Sequence, residues 1–421
     1  MFAFRTRALA RLLAGSGGGS AFILDVTFQG TRRFVSLPSG DHTSTKGHTL
    51  AECLLSEMTS PWTTQDSPIG VDLFAGAGGL SLGAFFAGLR IVGAVEVDPR
   101  ACKTYQDNLV SSGLTRTRLV QRNILTVNAD EVMKELGLRQ GDCDILLGGP
   151  PCQGFSSHRL RDSGVDDPRN ALLLRYFEFV DKLRPRFFLV ENVPGMLWPR
   201  HKEYVDSFYR LAEDHEYELE KPMILNARDY GVPQNRKRVF LFGKDGRRGA
   251  SCQWPPAGTH FSPEDVEAGQ AKQIWVPARE AFGPTRADDP NNIHMQHGAE
   301  LIAAFERTPL NGGSRTASGR TLACHKRHSG HYDVYGRINP TVPGPTMTTA
   351  CINPSKGRFV HPTEPHGITL RQAARFQTFP DWFVFHGGLM SGGEQIGNAV
   401  PVEMARILLS PLVAACREQK P

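Results

Sequence analysis

The sequence predicts an α/β fold: a doubly wound, mostly parallel sheet with a second, smaller and irregular domain. Three observations predict it. From Ile69 onward, short β-prone runs alternate with helical stretches. Several of these runs stop abruptly at Gly, Pro or an acid, at the strand ends where an open α/β sheet gathers its chemistry. The alternation then fails over residues 244–335, rich in Gly, Pro, Asn and His, and resumes near the end.

Size and composition agree. With 421 residues, 40% hydrophobic and 22% charged, the chain can bury a sizeable core. A formal charge of +5 is compatible with a nucleic-acid partner without demanding one. The eight cysteines are scattered with no CxxC pair. That argues against a disulfide scaffold or paired zinc site and for a reducing, cytoplasmic setting. No continuous apolar run approaches the ~20 residues that span a bilayer, so no membrane partner is expected.

Residues 1–66 differ from the rest of the chain. They hold no acid before Asp25, arginines at 5, 7 and 11, and a Gly15-Ser-Gly-Gly-Gly-Ser20 run. An acid-poor, Arg-rich start can be a transit peptide. The linker-like Gly/Ser run favours a disordered extension instead, with Met58 as a candidate later start.

Ile69-Gly-Val-Asp-Leu-Phe74 is the first strand, Ala75-Gly-Ala-Gly-Gly79 a tight turn, and residues 80–88 a helix. The glycines let the backbone turn sharply and let a ligand approach. The turn is not a full GxGxxG, because Ser81 holds the third position. A second strand, 91–95, ends at Glu96, about twenty residues on, where an acid can accept from ribose hydroxyls. Pro99 opens a helix over 99–108, and 118–123 and 144–147 are further strands. There is no GxxxxGK[ST], so a nucleoside cofactor without a long phosphate chain fits best.

The fourth strand runs into Gly148-Gly-Pro-Pro-Cys-Gln-Gly-Phe-Ser156. Cys152 is thereby presented on a rigid turn at a strand end, as a nucleophile or simply as a loop cysteine. A helix over 170–183 leads to a strand, 187–190, that stops at Glu191-Asn-Val-Pro194. Glu191 there either does chemistry or caps a turn. Gln234-Asn-Arg-Lys-Arg238 precedes a strand at 239–242, and helices follow at 370–376 and 403–416. The last should pack back on the first domain.

Six runs now stand in order: Asp72-Leu-Phe-Ala-Gly-Ala-Gly-Gly79, Gly149-Pro-Pro-Cys-Gln-Gly-Phe-Ser156, Glu191-Asn-Val193, Gln234-Asn-Arg-Lys-Arg238, the stretch RQAARFQTFPD from Arg371 to Asp381, and Gly397-Asn-Ala-Val-Pro401. Together they resemble the motif series of the cytosine-5 DNA methyltransferases, over roughly Val71 to Met404. The resemblance implies a class I, Rossmann-like methyltransferase domain at 67–243, a target-recognition domain at 244–335, and a C-terminal segment at 336–421.

It also implies S-adenosylmethionine as cofactor, held by Phe74, Ala77, Gly78, Gly79, Glu96, Val97, Asn123, Ile124, Pro151, Asn398 and Val400. Glu96 would take the ribose, with Asn123 and Ile124 near the adenine. Asn123 stands where the family usually has Asp: it keeps a carbonyl acceptor and loses the charge. Val402 stands where a second Pro is common.

The implied chemistry adds the Cys152 thiolate to C6 of cytosine, making C5 nucleophilic. Glu191 would contact N3 and the exocyclic amine and act as an acid. Arg238 would hold the base and Cys152, with Arg236 supporting. The base that removes the C5 proton is not identified; a water could serve. The target must flip out of the duplex, and residues 154–169 form a candidate closing loop.

Duplex DNA would be met by Gln153, Ser156, Arg315, Arg320, Lys326 and Arg327, the last four in a basic stretch with Arg307 and Arg337 against one acid, Asp333. Cys324 with His325, His328 and His331 lacks metal-ligand spacing, so no metal is expected. The implied enzyme is a monomer, stand-alone or paired with a restriction endonuclease. Two alternatives are a tRNA methyltransferase of the family, whose Cys-Phe-Thr run is missing, and an idle DNA-binding relative, which the intact Cys152, Glu191 and Arg238 disfavour.

Overall fold

β-branched and aromatic residues alternate with tight turns in the first part of the chain, and the computed structural model turns them into strands. It describes residues 11–13, 22–28, 31–37, 63–151, 171–248, 252–269, 273–319 and 333–418. The chain divides into two units, Met1–Trp62 and Thr63–Pro421.

The first unit holds β1 (Arg11–Leu13), β2 (Phe22–Phe28) and β3 (Thr31–Leu37), paired antiparallel in the order β1-β2-β3. These strands fall within the stretch expected as a disordered extension, 1–66, most of which lies outside the described residues. FILDVTF and TRRFVSL are runs of strong strand formers, with Phe22 opposite Leu37.

The second unit is built on one mixed sheet. In chain order its elements are β4 (Ile69–Leu73), α1 (Gly79–Ala87), β5 (Arg90–Glu96), α2 (Pro99–Tyr105), β6 (Arg118–Gln121), α3 (Ala129–Leu136), β7 (Ile145–Gly148), α4 (Ala171–Leu183) and β8 (Phe187–Asn192). Then come α5 (Lys202–Asp214), β9 (Tyr217–Leu219), β10 (Met223–Asn226) and β11 (Lys237–Asp245). Strand order is β10-β11-β8-β7-β4-β5-β6, with β9 also on β11. Strands β6, β5, β4, β7 and β8 run parallel, and β11 joins antiparallel at β8. The chain goes one way from β4 to β5 and β6 and the other way to β7 and β8. The switch point lies beside β4, where open α/β sheets leave a crevice at the strand carboxyl ends.

Both faces are covered. Tyr176, Phe179, Val180 and Phe208 of α4 and α5 pack with Leu146, Phe188 and Leu241 on one side. On the other, Ile145, Leu147, Phe187 and Phe240 pack under Leu80, Ala84 and a final helix, α10 (Val402–Glu418). Each such aliphatic or aromatic side chain stabilises the fold by about 1.5–3 kcal/mol on burial. Helices α1 and α10 cross closely because Gly83 has no side chain: a Cβ there would lie 2.4 Å from the Ala405 Cβ and 2.6 Å from the Val402 carbonyl.

Residues 388–418 are long and apolar enough to cross a membrane by composition, yet they form two helices, α9 (Gly388–Asn398) and α10, broken at Ala399–Pro401 and largely buried.

Two sequence expectations change. The helix expected over 99–108 gives way at Gln106–Val110 to a π-turn. There the Asn108 side chain donates to the Thr104 and Val384 carbonyls and accepts from the Val384 N–H, which draws the turn open. Short strands and loops are the expectation for residues 244–335. Among the described residues this region holds instead helices α6 (Pro263–Glu267) and α7 (Ala299–Arg307), 3-10 turns and one isolated bridge, Phe261 to Ile274. Buried guanidiniums organise it in place of strand pairing. Arg337 donates to the carbonyls of Phe305, Thr308, His361 and Glu364. Helix α8 (Leu370–Phe376) is started by a capping box of Thr369 and Gln372, and its buried Arg371 clasps Asp289 through Nε and Nη2, at 2.6 and 3.2 Å.

Candidate active site

Four strand ends meet along one rim. β4 delivers Phe74 and the glycine turn, β5 delivers Glu96, β7 runs into Gly149 and the two prolines, and β8 carries Glu191. Phe74 sits at φ 58°, a left-handed conformation that costs a side chain energy and turns the chain out of the strand at once. Gly76 follows at φ 54°, and a Cβ built on it meets nothing within 4 Å, so the space over the turn is open. Glu96 closes one side. Its Oε2 accepts the Gly76 N–H, and its Oε1 accepts those of Val97 and Asp98, all at 2.8 Å. The pocket's far wall is the Ala399–Val400 turn: a Cβ on Gly79 would lie 2.5 Å from the Val400 carbonyl oxygen.

That wall is fixed from behind by residues remote in sequence. Buried Arg236 donates to the carbonyls of Met347, Gly397 and Ala399, each at 2.8 Å. Gln377 Nε2 donates to Ile396 and Ala399, and Gln234 donates to the Gln377 side-chain oxygen at 2.7 Å. Sequence reasoning missed Gln377, although it lies in the RQAARFQTFPD stretch. The Thr369-x-x-Gln372 capping signature, legible in sequence, fixes the helix that presents it.

At the other end of the rim, Arg238 on β11 lies against Glu191 on the adjacent β8, Nε to Oε1 2.8 Å, with side chains 13% and 9% exposed. The contact is an ion pair by distance rather than an aligned hydrogen bond. Gly149 permits it: a Cβ there would be 3.3 Å from Glu191 Oε2. Asn192 Nδ2 donates to the Pro150 carbonyl at 3.1 Å and ties this strand end to the turn before Cys152. Among the described cysteines, burial pushes Cys102, Cys351 and Cys416 up to about 12 and Cys143 higher still, so these thiols stay protonated and inert.

A model of the C-5 cytosine-specific DNA methylases matches residues 70–414. The chain belongs to that family. It is 32% identical over 375 residues to the Type II methyltransferase M.XorII of Xanthomonas oryzae, covering 84% of this chain and 86% of the relative. It is also 32% identical over 374 residues to the Type II methyltransferase M.DdeI of Desulfomicrobium norvegicum, covering 80% and 86%. Among solved structures, a chain encoded within an Escherichia coli prophage superposes with TM-score 0.58 at 27% identity, covering 83% of this chain and 99% of that one. The S. pombe Dnmt2 methyltransferase shares the fold, with TM-score 0.53 at 16% identity over 82% and 98%.

As a C-5 cytosine-specific DNA methylase, the chain is an S-adenosylmethionine-dependent enzyme acting on DNA. The residues fit the cofactor: an open glycine turn, the Glu96 carboxylate beside it, and the exposed apolar side chain of Val97, whose N–H is also held by Glu96. Among the expected cofactor residues, Ala77, Gly78 and Gly79 are buried in the turn, Ile124 and Val400 are buried, and Pro151 and Asn398 are exposed. Asn123 is exposed, with Oδ1 accepting the Leu125 N–H at 3.0 Å, so part of its acceptor capacity already serves a local turn.

On the DNA side, Cys152, Gln153, Ser156, Arg320, Lys326, Arg327 and the loop at 154–169 lie outside the described residues. Arg315, expected on a DNA-facing surface, is 5% exposed and sits on a 3-10 turn, and Arg337 is buried as well. Arg337 faces inward because the carbonyl-rich, irregular chain around it needs an internal donor.

Proposed function

We propose that this methylase transfers the methyl group to C5 of a cytosine flipped out of duplex DNA at a specific site, through a covalent bond from Cys152 to C6. The observation that supports it most is the Arg238–Glu191 pair set beside the Gly149–Pro151 turn that leads to Cys152.

An incoming cytosine would present N3 and its amine to Glu191. A protonated carboxyl there offsets charge developing on the ring as the thiolate adds. Arg238, already held beside Glu191 and by its own Nη1 to the Lys237 carbonyl, would grip the base and favour the thiolate. S-adenosylmethionine supplies the electrophilic methyl group. Arg236 supports the site without touching the base. Asn398 and Val400 would close the cofactor pocket. Gln153 and Ser156, and basic residues of the 244–335 region, would meet DNA. The enzyme would act as a monomer in the cytoplasm, alone or beside a restriction endonuclease. The Type II names of its relatives support the second setting.

The test is transfer of labelled methyl from S-adenosylmethionine to DNA and to tRNA, with Cys152→Ser beside the wild type. Transfer to DNA that vanishes in the variant is the expected result. Transfer to tRNA alone, or transfer undiminished by Cys152→Ser, overturns the reading. Mapping 5-methylcytosine in DNA from expressing cells gives the recognition sequence.

A further inference from the structure

Asp72 is wholly buried one residue before the end of β4, directly behind the cofactor turn. Its Oδ2 accepts from Ser81 Oγ at 2.6 Å, and Ser81 in turn accepts from the Tyr105 hydroxyl at 2.9 Å. Its Oδ1 has no hydrogen-bond partner among the described residues. A sealed carboxylate oxygen without a partner is costly, and a chain needing only an anchor for α1 would be served by Asn. The excess is negative charge, held behind the turn that receives the cofactor.

The cofactor changes charge during the reaction. The donor carries a sulfonium cation; the product left after methyl transfer is a neutral thioether. Its amino and carboxylate groups and its ribose are the same in both. Resting on the family's cofactor, we propose that Asp72 is the residue that discriminates charged donor from spent product, by attraction between its buried carboxylate and the sulfonium. It does so without touching the reacting atoms, and its effect is to bind the donor while letting the product go.

The groups facing Asp72 fit this role. Glu96 on β5 adds like charge and Tyr176 on α4 and Tyr105 on α2 are held neutral by burial. Burial, opposed by the Ser81 hydrogen bond and aided by Glu96, raises the Asp72 carboxyl to about 7. The cation's field is then what completes its ionisation.

Binding of S-adenosylmethionine and of S-adenosylhomocysteine to the full chain, measured by calorimetry at several pH values from 6 to 8.5, tests this. In the wild type the donor-to-product affinity ratio should rise with pH through about 7. In Asp72→Asn it should fall by about tenfold and lose its pH dependence, as expected for two unit charges several ångströms apart in a partly buried setting. Product affinity should stay within about twofold, the size left when the removed charge has no partner charge on the ligand. Ser81→Ala keeps the carboxyl but loses a hydrogen bond that lowers it, so the ratio should be kept at pH 8.5 while its rise moves to higher pH. An unchanged ratio in Asp72→Asn overturns the proposal, as does equal weakening of both ligands. Should Asp72→Asn not fold, Asp72→Glu, which keeps the charge, should keep the ratio, and a ratio lost in Asp72→Glu with product affinity unchanged overturns the proposal equally. Failure of the wild type to bind either ligand would instead count against the cofactor assignment.

Discussion

Glu191 and Arg238 occupy neighbouring antiparallel strands, with Phe240 rather than Arg238 opposite Glu191 in the register, and their side chains lean toward each other to within 2.8 Å. The acid and the cation are therefore matched before any base arrives. Removing either leaves the other buried and alone, which is costly.

Glu191→Gln keeps the shape and removes the acid. Its methyl transfer at saturating cofactor should fall by roughly 10²–10⁴-fold, the usual size of an acid's contribution. Calorimetric cofactor affinity should stay within about twofold, because Glu191 lies at the base end of the rim, and loss of a neutral contact there is worth well under a tenfold change. A single-turnover rate within tenfold of wild type would show that Glu191 has no acid role.

Gly79→Ala drives a methyl group against the Val400 carbonyl, only 2.5 Å away, with the Ala399 Cβ and the Phe379 ring at 3.3 Å. The wall has to move. A stability loss of about 1–3 kcal/mol is expected from overpacking. Weaker cofactor binding should accompany it, read by urea titration and calorimetry on the same sample.

Arg236→Met deletes a charged donor shared by three buried carbonyls. A loss of about 3 kcal/mol or more is expected in the urea midpoint. The more telling outcome is a raised KM for cofactor with a smaller change in KM for DNA, since Arg236 holds the Gly397–Ala399 turn that carries Asn398, proposed to close the cofactor pocket.

Acid should loosen the region around α7. Burial, with His366 and Arg337 nearby, pushes His361 down to about 4, and burial also lowers His366 and His297. The His294 and His366 rings stack 4.0 Å apart. An unfolded imidazole takes its proton near 6.5. Between about 6.5 and 4 the unfolded chain therefore binds more protons, and the stability held above that window drains as pH falls through it. His361→Asn can keep the acceptor used by the Thr363 and Glu364 N–H groups without the titration. Urea midpoints at pH 7 and 5 should drop less in that variant than in wild type; equal drops would remove His361 from the account.

Much of the fold was legible in the chain. The runs at Ile69, Arg90, Ile145 and Phe187 gave away their strands because parallel strands covered on both faces are apolar throughout. Gly, Pro and acid at their ends marked the rim. The α5 helix and the β9 strand are hard to read because Lys202–Leu219 is mostly polar or charged outside a narrow apolar stripe, and β10 is only four residues long. Arg315 and Arg337 misled for another reason. Counting charge along a chain cannot tell an exposed guanidinium from a buried one: Arg315 is 5% exposed, and Arg337 feeds backbone carbonyls that only the fold brings to it. Gln377 was hidden because its partners, Gln234 and Ala399, lie 143 and 22 residues away.

The last helix has a bearing on when the enzyme can exist. Met404, Leu408, Leu412 and Cys416 of α10 cover Leu80 and Ala84 and share a core with Ile145, Phe187 and Phe240. The Leu408 carbonyl also accepts the Trp254 indole N–H. Ribosomes make the chain from the other end. A nascent polypeptide therefore carries every motif of the rim while one face of its sheet is covered by α1 without α10, and a chain cut short before Val402 exposes apolar surface that chaperones and proteases recognise. The core over this face of the sheet can close only once Val402–Glu418 has been made.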